Sequence, residues 1–357
     1  MSPLFFKVAN AIMPPISALL CAPAGQSRTG RIESSNKIRT IESVEYANHF
    51  LGGDLSVKGL VARIHAAGQF RALWLAEGLG QHYGNRLLAR NESPKNLFSE
   101  GEGRDIPENL LLMAHAGMAL AFARHHLDRL GSSPAPEQAR ETARRIAGLI
   151  EANALGGYGG ISYEAWGMVT RFFYRKVFPA IIESMEQIDT AHVPNMWHGA
   201  GRAVYFFDFM PRWKEPWPVF ERINREATCL TSRLNLLAGL GSVTAIVNMR
   251  SPEILEIIVR ERIAKLGDED IAAYSQGVAC AVVMREDTTP DEASTRTFVQ
   301  HTPSELAPEL WQRVVGGPAR RALDTIHPAL KAGRRLDEIT CFRPLDQILG
   351  RNRPSGT

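Results

Sequence analysis

Glycine inside a helix costs roughly 1 kcal/mol relative to alanine. Glycines that recur within helical sequence therefore need a packing reason. The helical runs of this chain are written in Ala, Leu, Glu and Arg, with apolar residues three and four apart, as in Leu110, Met113, Ala114, Gly117, Leu120 and Ala121. Within them a short motif occurs six times: Glu77-Gly78-Leu79-Gly80, Ala114-His115-Ala116-Gly117, Glu164-Ala165-Trp166-Gly167, His198-Gly199-Ala200-Gly201, Ala238-Gly239-Leu240-Gly241 and Gln276-Gly277-Val278-Ala279. The fourth position is always small, and the second is small in all copies but the one carrying His115. Successive first positions lie 37, 50, 34, 40 and 38 residues apart.

A helical signature with a period near 40 predicts helix-pair repeats. Two helices of about 12–15 residues and their turns take that length. The expected fold is all-α, with about six helix pairs arranged as an α/α toroid around a cavity or as a compact α-solenoid with a concave face. Residues 242–249 are the best strand-like stretch, but they continue a Gly/Ala-rich helical pattern and are assigned to a helix. Residues 1–36 read as an apolar N-terminal segment and linker, 37–330 as the repeat domain, and 331–357 as a C-terminal extension with a frayed end. The polar stretches 26–36 and 288–297 read as a linker and a loop.

Composition mainly excludes. With 45% hydrophobic and 22% charged residues the chain is neither disordered nor collagen-like. A net charge of +3 drives neither nucleic-acid nor membrane binding. The four cysteines are scattered without a CxxC pair, which argues against a disulfide framework or structural zinc and fits a reduced, cytoplasmic setting. Residues 4–21 are apolar but carry Lys7, Pro14 and Pro15, so they suit a docked helix or a peripheral membrane contact better than a span. No dinucleotide fingerprint, phosphate loop, HExxH or GxSxG occurs, and no aspartate cluster of the metal-dependent terpene-synthase type. No metal and no cofactor is expected.

The first position of the motif carries the chemistry. Glu77 lies among small residues on a packing face, where desolvation raises a carboxyl pKa and suits it to general acid–base work. The alternative is a carboxylate that bonds a neighbouring helix end. Glu164 and His198 hold the same position in the third and fourth copies, and a Glu/His pair on adjacent helices is a proton-transfer couple. His198 alone would read as a satisfied core histidine. Gln276 holds the position in the sixth copy, as a substrate contact or as an amide bridging two helices. His115 stands where other copies carry Gly or Ala, which makes it a ligand-contact candidate. Gly80, Gly117, Gly201 and Gly241, with Trp166 and Tyr205, are expected to line a cavity for a flat or conjugated apolar ligand. Phe172, Phe173, Trp213 and Trp217 add aromatic weight, which in helical repeats otherwise means core. Asp268-Glu269-Asp270 reads as the acidic start of a helix near Ile271.

Three blocks carry a family resemblance: residues 70–83 around Glu77, His198-Gly199-Ala200-Gly201-Arg202-Ala203, and Tyr274-Ser275-Gln276-Gly277-Val278-Ala279. With Arg39-Thr40 and Phe50-Leu51-Gly52-Gly53 upstream and His301-Thr302-Pro303-Ser304 downstream, the chain resembles, over residues 37–325, domain-of-unknown-function family number 1702, encoded beside enediyne polyketide synthases. That family's third block looks like Gly-Tyr-Gly followed by Phe-His. The counterpart here is either Gly157-Tyr158-Gly159 or the copy opened by Glu164. The resemblance implies a setting in which a long polyene-derived natural product is made.

The function expected is therefore a cofactor-independent biosynthetic enzyme that isomerises or cyclises an apolar polyene or polyketide intermediate. Glu77 and His198 would move protons, helped by Glu164 and His115. One rival is a non-catalytic scaffold for a carrier protein, a polyketide synthase or a lipophilic product. Another is a metal-independent terpene-type cyclase.

Overall fold

Burial separates the helices into two kinds. In the computed structural model, which describes residues 28–48, 54–90, 94–207 and 218–350, all regular structure among the described residues is helical. The motif copies lie on α3 (Gln69–Leu88), α4 (Glu108–Leu127), α6 (Gly159–Phe173), α8 (Val193–Phe207), α10 (Leu230–Val247) and α12 (Asp268–Thr288). These helices are buried on nearly every side; in α10 every residue from Leu234 to Val247 is buried. Between and around them run α1 (Arg28–Asn48), α2 (Val57–Ala66), α5 (Pro136–Asn153), α7 (Phe178–Ile188), α9 (Pro218–Glu226), α11 (Glu253–Glu261) and α13 (Ala293–Gln300). The helix α5 shows the second kind: Ala139, Ala143, Ile146, Ala147 and Ile150 form one buried stripe, and Arg140, Arg144 and Arg145 keep to the other face.

The motif helices pack in chain order, α3 on α4, then α6, α8, α10 and α12, and α12 returns to α4 and α3. Neighbours run parallel. Arg233 near the start of α10 meets Asp270 near the start of α12, and Ser242 lies beside Gly277 further along both. Parallel neighbours need a return path, and an outer helix supplies it at each step from α4 onward.

The glycines set the spacing. A Cβ on Gly199 would overlap the backbone carbonyl of Glu164 on α6, and one on Gly201 would overlap that of Leu236 on α10. Likewise Gly239 faces the His198 carbonyl on α8 and Gly241 faces the Tyr274 carbonyl on α12. Residues i and i+2 point about 200° apart on a helix. The Gly-x-Gly pair therefore opens both flanks of one helix to two neighbours. Carbonyls seated on glycine Cα–H groups recur at close helix contacts. Gly167 receives the Met196 carbonyl in the same way, so the copy opened by Glu164 is the packing equivalent of the others. Gly157, at φ +90°, belongs to the turn before α6.

Several boundaries differ from the sequence reading. Residues 28–36 are the start of α1 and not a linker, and its buried Ile38 joins the interior. The loop expected at 288–297 shrinks to four residues, because α12 runs through Thr288 and Glu292 caps α13 by accepting the Thr295 N–H. The acidic helix start lies at Asp268 itself. Residues 242–249 are helical through Val247, as assigned. The N-terminal segment 4–21, the block 50–53, Trp213, Trp217 and the end beyond 350 lie outside the described residues. Among the described residues, Leu230–Val247 alone has the length and hydropathy to cross a membrane, and 83% of it is buried inside the fold.

The C-terminal part is no appendage. Residues 308–332 form a helix with wide π turns at Gln312–Gly316 and Ala322–Ile326, just before Pro318 and Pro328, whose rings displace the preceding carbonyls. Residues 337–342 then lie across the N-terminal parts of four motif helices. Asp337 accepts the Gly160 N–H of α6 at 2.9 Å, and Asn195 of α8 donates to Thr340 Oγ1 at 2.9 Å. Phe342 N–H donates to Asn235 of α10 at 2.7 Å, and Gln276 of α12 donates to the Ile339 carbonyl at 2.7 Å.

Candidate active site

The helix register brings motif positions one and five toward a common centre. The first position supplies Glu77, Glu164 and His198. The fifth, one turn later, supplies Gln81, Met168, Arg202, Ser242 and Cys280. Arg202 Nη1 lies 2.9 and 2.8 Å from the two carboxylate oxygens of Glu164, and His198 Nδ1 lies 3.2 Å from Oε1. All three side chains are buried. Burial by itself would raise the Glu164 pKa, but Arg202 and His198 hold it below the ordinary value. Burial likewise works against the Arg202 charge, which the carboxylates of Glu164 and Glu77 sustain. Arg202 and His198 thus meet on the ionised Glu164 carboxylate, while the buried Arg202 Nε and His198 Nε2 have no hydrogen-bond partner.

Glu77 belongs to the cluster without sharing its bonds. Its carboxyl is buried, and its Oε1 has no hydrogen-bond partner. Desolvation pushes its pKa from 4.5 up to about 7, with the nearby Arg202 opposing the shift and the Glu164 charge adding to it. A carboxyl poised there donates or accepts a proton near neutral pH. It lines, with Arg202, a cavity of about 120 Å³ whose other walls include Trp74, Leu120, Met168, Phe172, Phe173 and Phe206. Phe173 is exposed at the mouth, with the Arg124 guanidinium 5.3 Å from its ring centre.

Sequence reasoning named Glu77, Glu164 and His198, and the structure brings them together. It missed Arg202. The available signal was its place one helical turn after His198, the same face by construction. Gln81 and Met168, four residues after Glu77 and Glu164, carried the same signal and were also missed.

Other expected site residues lie elsewhere. His115 is buried against Phe98 and stacked on Tyr158; its Nδ1 lies 2.7 Å from the Leu111 carbonyl and its Nε2 accepts the Leu155 N–H at 3.1 Å. Desolvation drives its pKa down to about 3. Both ring nitrogens are committed, so His115 fixes the turn into α6 and is not a proton carrier. Gly80, Gly117, Gly201 and Gly241 face backbone carbonyls of neighbouring helices, not the cavity, because any side chain there would collide with them. Gln276 bridges to the 339–341 segment, the structural role its amide allows. Tyr205 accepts from Asn248 Nδ2 at 2.8 Å and lies under Lys37 of α1, and Trp166 is fully enclosed in the core. Burial pushes the Cys280 thiol up to about 12, which leaves it unreactive near neutral pH.

Comparison of the chain with protein-family models, with curated proteins and with solved structures finds no match.

Proposed function

We propose that this chain is a biosynthetic enzyme that moves a proton within an apolar, conjugated substrate, with Glu77 as the acid–base group. The supporting observation is the unpartnered, buried Glu77 carboxyl at the floor of an aromatic cavity, beside the Arg202 guanidinium. In this reading the ionised Glu77 takes a proton from a carbon conjugated through a double bond to a carbonyl. The electron pair passes to the carbonyl oxygen as a dienolate, which Arg202 stabilises. The protonated Glu77 returns the proton at the other end of the conjugated system. Atoms and charge balance without a further reactant. Glu164 and His198 position Arg202.

The same reading takes the six motif helices as a closed α/α toroid built from helix-pair repeats. Chain-order packing and the return of α12 to α4 support it. The resemblance to the enediyne-associated family makes a polyene or polyketide intermediate the substrate class, delivered by a synthase or carrier protein.

The test is exchange in D2O with a polyenoyl acid or thioester carrying one skipped double bond. The wild-type protein is expected to shift the absorbance and to introduce deuterium, read by mass spectrometry. Glu77→Gln is expected to slow both by roughly 10²–10⁴-fold while keeping its circular dichroism. Turnover of folded Glu77→Gln at the wild-type rate would sink the assignment.

A further inference from the structure

A second, larger cavity adjoins the first. It measures about 1030 Å³ and lies between α1, the α2–α3 corner and the end of α10. Trp74 and Thr40 line both cavities, so the apolar pocket and the cleft meet across these two side chains. The chemistry changes at that boundary. Arg31, Arg39, Arg71 and Arg250 line the cleft. Glu292 is the one acidic residue among its described lining residues, and it sits 3.6 Å from Arg250. Arginine stays charged at any working pH, so the cleft carries a clear positive excess.

Two further features accumulate positive potential there. The Arg250 guanidinium lies 3.6 Å from the Phe70 ring centre, and that of Arg285 lies 4.6 Å from it. Arg285 is fully buried. Its Nη1 donates to the Phe70 carbonyl at 2.7 Å, while its Nε and Nη2 have no partner. Desolvation, with repulsion from Arg250, lowers its pKa to about 10 against the pull of Glu292. The N-terminus of α3 also opens onto the cleft, through Gly68 at φ 88°, with no side chain capping it. A helix N-terminus adds partial positive charge and N–H donors. Two arginines held around one aromatic ring, beside Arg31, Arg39, Arg71 and the helix end, leave a positive excess that Glu292 alone does not balance.

We infer that the arginine cleft holds the anionic head of an amphipathic ligand whose apolar chain crosses Trp74 and Thr40 into the aromatic pocket. The head is a carboxylate or a phosphate, both of which arginine binds in a bidentate fork. This inference rests on the proposed reading of the aromatic pocket as the site of an apolar chain and adds what the far end of that chain carries.

Fluorescence titration with cis-parinaric acid, a conjugated fatty acid that brightens in apolar surroundings, tests it together with the methyl ester of the same acid. The acid is expected to bind at least tenfold more tightly than the ester. Arg39→Gln/Arg71→Gln, both exposed side chains, is expected to weaken the acid at least tenfold and to leave the ester unchanged. Arg144→Gln, on the outer face of α5, should change neither. Displacement of the bound acid by dodecyl phosphate or by laurate then shows which head the cleft favours, and either anion displacing better than dodecanol supports the site. Equal binding of acid and ester, indifferent to the arginine substitutions, overturns the head-group inference and leaves the apolar-chain reading standing. Failure of both probes to bind overturns it as well, while the deuterium exchange assay judges the proton-transfer reading on its own.

Discussion

Glu77 and His115 are both buried titratable groups, and they give stability opposite dependences on pH. The folded state raises the Glu77 pKa from 4.5 to about 7 by desolvation. Between those values the unfolded chain has lost a proton that the folded chain keeps, so stability falls as pH rises through this window and levels off above it. Denaturant titrations of Glu77→Gln should lack that fall, leaving the variant more stable than wild type at pH 8 by on the order of 3 kcal/mol. A wild-type protein whose stability tracks the variant from pH 4.5 to 8 would show that Glu77 is not desolvated. His115 works the other way. Its pKa drops from 6.5 to about 3 on folding, so the stability it contributes is present above pH 6.5 and is lost as pH falls toward 3. His115→Asn should flatten that acid limb in the same titrations while leaving the alkaline side unchanged. At this scale sequence placed Glu77 on a buried packing face, because small residues flank it on the helix. It misjudged His115, because occupying an unusual motif position does not reveal which backbone groups the imidazole will meet.

Between elements, the glycines divide into those that hold helices together and those that merely weaken them. Gly239 receives the His198 carbonyl where a methyl would stand, and neither backbone can retreat without opening the α8–α10 contact. Gly239→Ala should therefore destabilise by at least ~1–3 kcal/mol, the usual scale of overpacking. Gly148 lies on the exposed face of α5 with open space at its Cβ position. Gly148→Ala should stabilise by about 1 kcal/mol through helix propensity. Thermal melts of the two variants check the pair. Equal effects would mean that the motif glycines carry no packing role. The 34 to 50 residues between motif copies leave room for a return path, which an outer helix supplies at each step from α4 onward. That the motif glycines serve packing was legible, since glycine inside a helix needs such a reason, but which of them also line a cavity and which carbonyl each receives were not. A small residue looks alike in sequence whether it lines a cavity or receives a carbonyl.

For the whole molecule, the decisive contacts are those that join distant parts of the chain. Leu336, Ile339 and Ile348 are buried in the same core as the motif helices, and the 337–342 segment ties α6, α8, α10 and α12 at one end. Each such side chain contributes roughly 1.5–3 kcal/mol on burial. A chain ending at residue 330 should melt at least ~10 °C lower than the full chain, and hydrogen exchange should speed up at the N-terminal turns of those four helices. An unchanged melt would mark residues 331–357 as the dispensable extension that their position in the chain suggested. The same scale explains why the arginine cleft escaped sequence reading. Arg31 and Arg39 lie on α1, Arg71 on α3, and Arg250 follows α10, so only the fold makes one surface of them.

By itself the sequence determined the helical class and named three of the four ionisable residues that meet at the centre. These follow from local periodicity and from residue types that are costly to bury. The tertiary structure alone decided which neighbour each glycine meets, that Arg202 pairs with Glu164 while Glu77 stays unpaired, and that the C-terminal segment closes one end of the helix array. Those outcomes depend on the rotation and register of whole helices against one another, set by the summed packing of many side chains and carried by no single motif.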